Sequence, residues 1–223
     1  MTRDELWLAA LWPKLEASLP PPPATVVEIG CGRVGGFVPG LIKRGYRALG
    51  IDPVAPRGSS FRQIEFERSD LPTAVEAFVA CTSLHHVGDP AEVLDRAASA
   101  LAPGGRMIVV EWDWEGFDEA TARWCFDRLG PPDDRSWLRN RRDAWQASGE
   151  PWDQCLRGWA TEHGLHSARR LLLELDERFA GLSCGRGAYY FRDLAATSEA
   201  DEAEAIRAEQ IQAGRVDYVG RLA

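Results

Sequence analysis

Apolar positions along the chain switch between helical and strand periods, and the switches mark out its elements. Leu6, Trp7, Ala10, Leu11 and Leu15 recur at helical spacing and predict an amphipathic leading helix over residues 2–19, which Pro13 should kink or divide. Pro20 to Pro23 form a stiff extended spacer through which no helix continues. Residues 25–29 are an apolar strand that runs into the glycine-dense turn Gly30-Cys31-Gly32-Arg33-Val34-Gly35-Gly36, and a helical pattern follows over 37–44. Residues 48–52 form a second strand, 53–60 a loop rich in Pro, Gly and Ser, and 61–66 a short third strand. The run 77–81 is a fourth strand, and 90–101 a helix stopped at Pro103-Gly104-Gly105. Residues 107–111 are another buried strand. Strands alternating with helices predict a doubly wound α/β sheet, mostly parallel.

The pattern changes after Glu111. Seven of the nine tryptophans lie between Trp112 and Trp159, among charged residues with little strand character. Residues 112–178 read as a helical insertion packed over the carboxyl ends of the strands, where open α/β sheets bind ligands. The same tryptophans would also suit a satellite core that touches no ligand. Residues 178–191 and 216–222 supply two last strands, the final one antiparallel, with a helix over 199–213 between them. The chain is then a single domain: a leading helix and Pro spacer (1–23), a cofactor-binding half (24–111), the helical cap (112–178) and C-terminal strands with a helix (179–223).

The turn after the first strand carries the chemistry. Gly30 to Gly35 fit the GxGxxG dinucleotide pattern, and Asp52 follows at about the expected 20 residues. A pyrophosphate on helix-terminal N–H groups is anionic, so Glu28, entering that turn, would repel it. A ligand with a cationic amino-acid end and a neutral adenosine end suits Glu28 better. S-adenosylmethionine has that distribution, with ribose hydroxyls left for Asp52. The rival dinucleotide reading makes the chain an NAD(P)-dependent oxidoreductase.

Net charge is −8, a field that does not attract phosphate backbones and argues against nucleic acid as partner. The dense basic cluster of Arg139, Arg141 and Arg142 is surrounded by Asp133, Asp134 and Asp143 and reads as a solvated helix face. Five cysteines without a CxxC pair indicate reduced thiols and a cytoplasmic protein, with no zinc site. His163 and His166 could share a helix face but lack a third ligand nearby. No apolar run approaches a membrane span, and the charged start has no signal-peptide core.

The segments VVEIGCG, GIDP, ERSDLP, ACTSLHHVGDP and LAPGGRMIVVE, in this order, make the chain similar to the class I S-adenosylmethionine-dependent methyltransferases. Within that class it most resembles the small-molecule group with paired histidines after the fourth strand. The resemblance covers roughly residues 24 to 115. It implies a Rossmann-like methyltransferase sheet and S-adenosylmethionine as cofactor. It sets Glu28, Gly30, Cys31 and Gly32 at the methionine portion, Asp52 on the ribose hydroxyls and Pro53 beside the adenine. Asp70 and Leu71 match the pair that meets the adenine amino group, and Cys81 and Thr82 the strand end that passes the amino-acid part. Val34 stands where the common pattern has its third glycine, so the turn is reshaped around Gly35 and Gly36. The implied reaction is methyl transfer to a small-molecule acceptor, a hydroxyl, with His86 or His85 as base and Glu111 as acidic partner. The same fold also serves non-methylating reactions and binding roles. The acceptor's identity and the oligomeric state stay open.

Overall fold

The computed structural model describes residues 2–131 and 136–222; Asp133 and Asp134 lie outside the described residues. The leading segment is one helix, α1 (Arg3–Ser18), opened by a capping box between Thr2 and Glu5. Pro13 does not divide it. Trp7, Leu11 and Leu15 are buried on both sides of the proline, and that packing carries the helix past the missing N–H.

Seven strands form one sheet in the order β3-β2-β1-β4-β5-β7-β6. They are β1 (Thr25–Ile29), β2 (Arg47–Ile51), β3 (Phe61–Arg62), β4 (Val75–Cys81), β5 (Leu101–Trp112), β6 (Phe179–Gly187) and β7 (Arg215–Leu222). The pairings from β3 to β5 are parallel, whereas β7 runs antiparallel to both β5 and β6. Helices α2 (Val38–Lys43) and α3 (Pro90–Ala100) cross over between strands. The stretch after β5 supplies α4 (Glu119–Phe126), α5 (Trp137–Ser148), α6 (Trp152–Glu162) and α7 (Ala168–Asp176), and α8 (Glu199–Arg207) lies between β6 and β7.

Two details depart from the pattern-based reading. The third strand is not 61–66, because only Phe61 and Arg62 find partners on β2, at Gly50 and Ile51. Beyond them the chain coils into a 3-10 turn, Phe66–Arg68, which buries Phe66 edge-on against Phe78. The stop at Pro103-Gly104-Gly105 is a bulge within β5 and not a turn before it. Val75 pairs with Leu101 and Ala77 with Arg106, so residues 102–105 loop out opposite Glu76.

The sheet buries both faces. One carries Val27, Ile29, Phe78, Met107 and Val109 against α3 and α7, and the other carries Val26, Val79, Ile108 and Val110 against α1 and α2. The second face continues into an aromatic cluster centred on Trp112, which stacks on Tyr189 and meets Trp137 and Trp159 edge-on or tilted. Buried indole N–H groups find partners there, Trp112 on the Tyr190 hydroxyl and Trp152 on the Phe117 carbonyl. The arginine cluster is spent on local contacts. Arg139 donates to the carbonyls of Gly130 and Pro131, Arg142 pairs with Asp143, and Arg141 lies over Trp159. No helix among the described residues is long and apolar enough to cross a membrane.

Candidate active site

A cavity of about 500 Å³ opens at the carboxyl ends of β1, β2 and β4. The strand order reverses between β1 and β4, and a crevice for ligands forms at such a switch point because the adjoining connections leave to opposite faces. From β1 come Glu28 and Gly30, from the following turn Cys31, Gly32, Arg33 and Val34, and from the end of β2 Asp52 and Pro53. Beyond β4 come Cys81, Thr82, Ser83 and His86. Most of the motif residues therefore converge on one space.

The turn has two kinds of glycine. Gly32 has φ +64°, a Cβ there would meet no protein atom within 4 Å, and its bare backbone lines the cavity. Gly36 has φ +53°, and a Cβ there would fall 2.1 Å from Glu28 Oε1. That close approach seats the Glu28 carboxyl beneath the turn, where its Oε2 accepts the Phe37 N–H at 2.8 Å. Glu28 is 2% exposed, and burial pushes its pKa up to about 8. The anionic Glu28 expected at the turn is thus a neutral acid in the free protein at pH 7. It holds the turn onto the sheet, because desolvation outweighs the N–H groups that favour its charge.

Asp52 is more open. Its two oxygens accept the N–H groups of Gly32, at 3.0 Å, and Val54, at 2.7 Å, which ties the loop after β2 to the glycine turn. A carboxylate has lone pairs beyond these two, and Asp52 reaches the cavity wall. A bare glycine backbone, a half-exposed carboxylate on the adjoining strand and a cavity of this size fit an adenosyl amino acid. The acidic lining suits its cationic centre.

Asp70 and Leu71 are not among the lining residues. Their place is taken by Glu65, Phe66 and Glu67. The early end of β3 is the cause, since the 3-10 turn brings Glu65–Glu67 to the cavity. Ser69 is held away by Arg96, whose Nη2 donates to its carbonyl at 2.6 Å.

The loop after β4 is organised by Glu111 at the end of β5. Its Oε1 accepts from Ser83 N, at 2.8 Å, and Leu84 N, at 2.6 Å. Oε2 faces His85 Nδ1 at 2.5 Å and the Trp112 N–H at 3.2 Å. A carboxylate with two backbone donors on one oxygen is held as an acceptor, so His85 Nδ1–H donates to it. The two histidines consequently part company. His85 is buried on Glu111 and does not line the cavity, whereas His86 is exposed and does. Their rings lie 4.0 Å apart. Although part of its side chain is exposed, desolvation in the loop and then His85 push His86 down to about 4, a neutral imidazole at pH 7. His166 anchors the same loop, its Nε2–H donating to the Val87 carbonyl and its backbone N–H to that of His85. With Nδ1 facing Arg170, both nitrogens of His166 are engaged.

Among the described residues, none of 112–178 lines the cavity. The expected cover is supplied by α1, through Asp4, Trp7 and Leu8, and by Arg192. Tryptophans of the insertion bury one another instead. Trp7 Nε1 donates to Cys81 Sγ at 3.3 Å and so joins α1 to the end of β4. Trp7 was visible in the sequence only as part of an apolar stripe, and Arg192 carried no motif at all.

A family model described as a methyltransferase domain matches residues 3–175. The 2-ketoarginine methyltransferase of Streptomyces arginensis is 32% identical over 129 residues, covering 49% of this chain and 38% of the relative's own length. An S-adenosylmethionine-dependent methyltransferase from Mesorhizobium loti superposes with a TM-score of 0.58 at 18% identity, covering 95% of this chain and 97% of that one. Geranyl diphosphate C-methyltransferase from Streptomyces coelicolor A3(2), solved with Mg²⁺, geranyl diphosphate and S-adenosyl-L-homocysteine, gives 0.54 at 16% identity, over 96% and 79%.

Proposed function

The chain belongs to the methyltransferase-domain family, and from that premise we propose that it moves the methyl group of S-adenosylmethionine to the hydroxyl of a small molecule. The observation that carries this reading is the cavity itself, with Gly32 and Asp52 at one end and a neutral histidine, His86, at the other. S-adenosylmethionine supplies a methyl group already activated on a sulfonium. The protein's task is then to hold donor and acceptor in line and to manage one proton.

In this reading Asp52 takes the ribose hydroxyls, and Pro53 and Phe66 flank the adenine with Glu65 and Glu67 beside them. Gly30 and Gly32 give backbone to the amino-acid portion, with Cys31, Cys81 and Thr82 closing around it. Thr82 holds φ +52° without being glycine, a conformation fixed by its N–H bond to the Val110 carbonyl. His86 takes the acceptor's proton. Its basicity is low, but a hydroxyl oxygen becomes strongly acidic as it bonds to the methyl carbon, so a weak base that is always unprotonated suffices. His85 and Glu111 are positioning residues that set the His86 ring through the loop.

A carbon acceptor is the second reading, favoured by the structural neighbour named as a geranyl diphosphate C-methyltransferase. A carbon beside a carbonyl also has a proton to lose, and His86 would take that one instead. The test is incubation with S-adenosylmethionine labelled in its methyl group and a metabolite extract, followed by NMR of the labelled product. An O-methyl signal supports the first reading, and a C-methyl signal replaces it with the second. His86→Ala is expected to lower kcat by roughly 10²- to 10⁴-fold while the affinity for S-adenosylhomocysteine holds. The acidic limb of wild-type kcat/KM should lie near pH 4. Wild-type turnover in His86→Ala would remove it as the base.

A further inference from the structure

Arg192 is a cation set into the cavity wall with 15% of its side chain exposed. Its guanidinium lies over the rings of Trp7, at 4.5 Å, and Tyr189, at 4.9 Å, and Nη2 donates to the Tyr189 hydroxyl at 3.1 Å. Asp193 is 3.5 Å from Nε, but the same carboxylate also accepts Trp137 Nε1 and pairs with Arg3. The fork is therefore held rigid by two rings and one hydroxyl; among the described residues most of its N–H donors meet no hydrogen-bond acceptor, and Asp4 on the same cavity wall adds a nearby negative charge. A planar fork fixed in advance loses little entropy when it binds a planar or tetrahedral anion.

Position assigns the ligand. Trp7 ties Arg192 to Cys81 at the end of β4, while Asp52 lies at the end of β2, with β1 between them. Arg192 is thus at the β4 end of the cavity, from which His86 also projects, and away from the carboxylate that suits the ribose. A buried cation there attracts the anionic part of whatever approaches it. We propose that Arg192 receives an anionic group of the methyl acceptor, a carboxylate or phosphate, so that the substrate class is a small organic anion. This rests on the methyl-transfer reading above and narrows it.

The test compares wild type with Arg192→Gln and Arg192→Lys in two assays. Calorimetric titration with S-adenosylhomocysteine reads the cofactor end, and dissociation constants within about threefold of wild type are expected. A loss of about tenfold or more in both variants would mean that Arg192 holds the cofactor's own carboxylate, and would overturn the proposal. For the acceptor end, a metabolite extract is split on an anion exchanger at neutral pH, and each fraction is incubated with methyl-labelled S-adenosylmethionine. Label is expected in the retained fraction. Its apparent KM, measured by diluting that fraction, should rise about tenfold to a hundredfold in Arg192→Gln and less in Arg192→Lys, with kcat changing less. Should the Gln variant fail to fold, the Lys variant carries the same readouts. Label only in the unretained fraction, or an unchanged KM, overturns the anion assignment and leaves methyl transfer standing. Label in neither fraction overturns both.

Discussion

Replacing Glu28 with Gln changes how stability depends on pH, and the direction follows from where the carboxyl sits. Burial moves its pKa from 4.5 to about 8, against the pull of the Phe37 and Val38 N–H groups and with some help from the charge of Asp52. In the unfolded chain the carboxyl ionises near 4.5, whereas the folded chain holds the proton to about 8. Between those values the folded state binds more protons than the unfolded one, so this group's contribution to stability falls as pH rises through the window and is flat above it. At roughly 1.36 kcal/mol per unit, the whole displacement is worth at most about 5 kcal/mol, and the part developed by pH 7 about 3 kcal/mol. Glutamine keeps a carbonyl for the Phe37 N–H and has no charge to lose in either state. Without ligand, Glu28→Gln should match wild type near pH 4.5 and exceed it by about 4 kcal/mol near pH 7.5. Urea unfolding at several pH values, followed by circular dichroism, measures the gap directly. A gap that stays constant from about pH 5 to about pH 8 would refute the reasoning, because the carboxyl would then ionise alike in both states.

Other consequences can be checked by single substitutions. Asp52→Ala should weaken S-adenosylhomocysteine binding roughly ten- to hundredfold, the worth of one or more charged hydrogen bonds; an unchanged dissociation constant would sink the ribose assignment. Glu111→Ala strands three backbone N–H groups and the His85 imidazole around a buried hole, so a loss of about 3–5 kcal/mol of stability is expected. Thermal unfolding at the wild-type temperature would contradict that account of the loop. Trp7 is the tryptophan that reaches the cavity, so its emission should report S-adenosylhomocysteine and the change should vanish in Trp7→Phe. A full response persisting in that variant would locate the reporter in the insertion instead.

Much of the site was legible because its constraints are local. Gly32, Asp52, Pro53, Cys81 and Thr82 sit at strand ends, where a short motif and the topology of a parallel sheet leave little freedom. That Glu65–Glu67, and not Asp70 and Leu71, line the cavity was not legible, since nothing in Phe61 to Phe66 reveals that β2 offers partners for only two of them. The equal-looking histidines, His85 and His86, could not be told apart either. Which one turns inward depends on Glu111, 25 residues beyond His86 and on another strand.

Alternating apolar runs and helical stripes, with a glycine turn between two acidic strand ends, determined the α/β class, the parallel strands and the edge at which a ligand binds. These follow from backbone sterics and from burial on both faces of each strand. Tertiary structure alone decided the rest. It neutralised Glu28 by burying it, turned the tryptophans of the insertion toward one another, and brought α1 and Arg192 over the cavity. Those outcomes depend on desolvation and on contacts between residues far apart in sequence, as when Trp7 meets Cys81 and Arg192, and neither quantity is written in any local stretch of the chain.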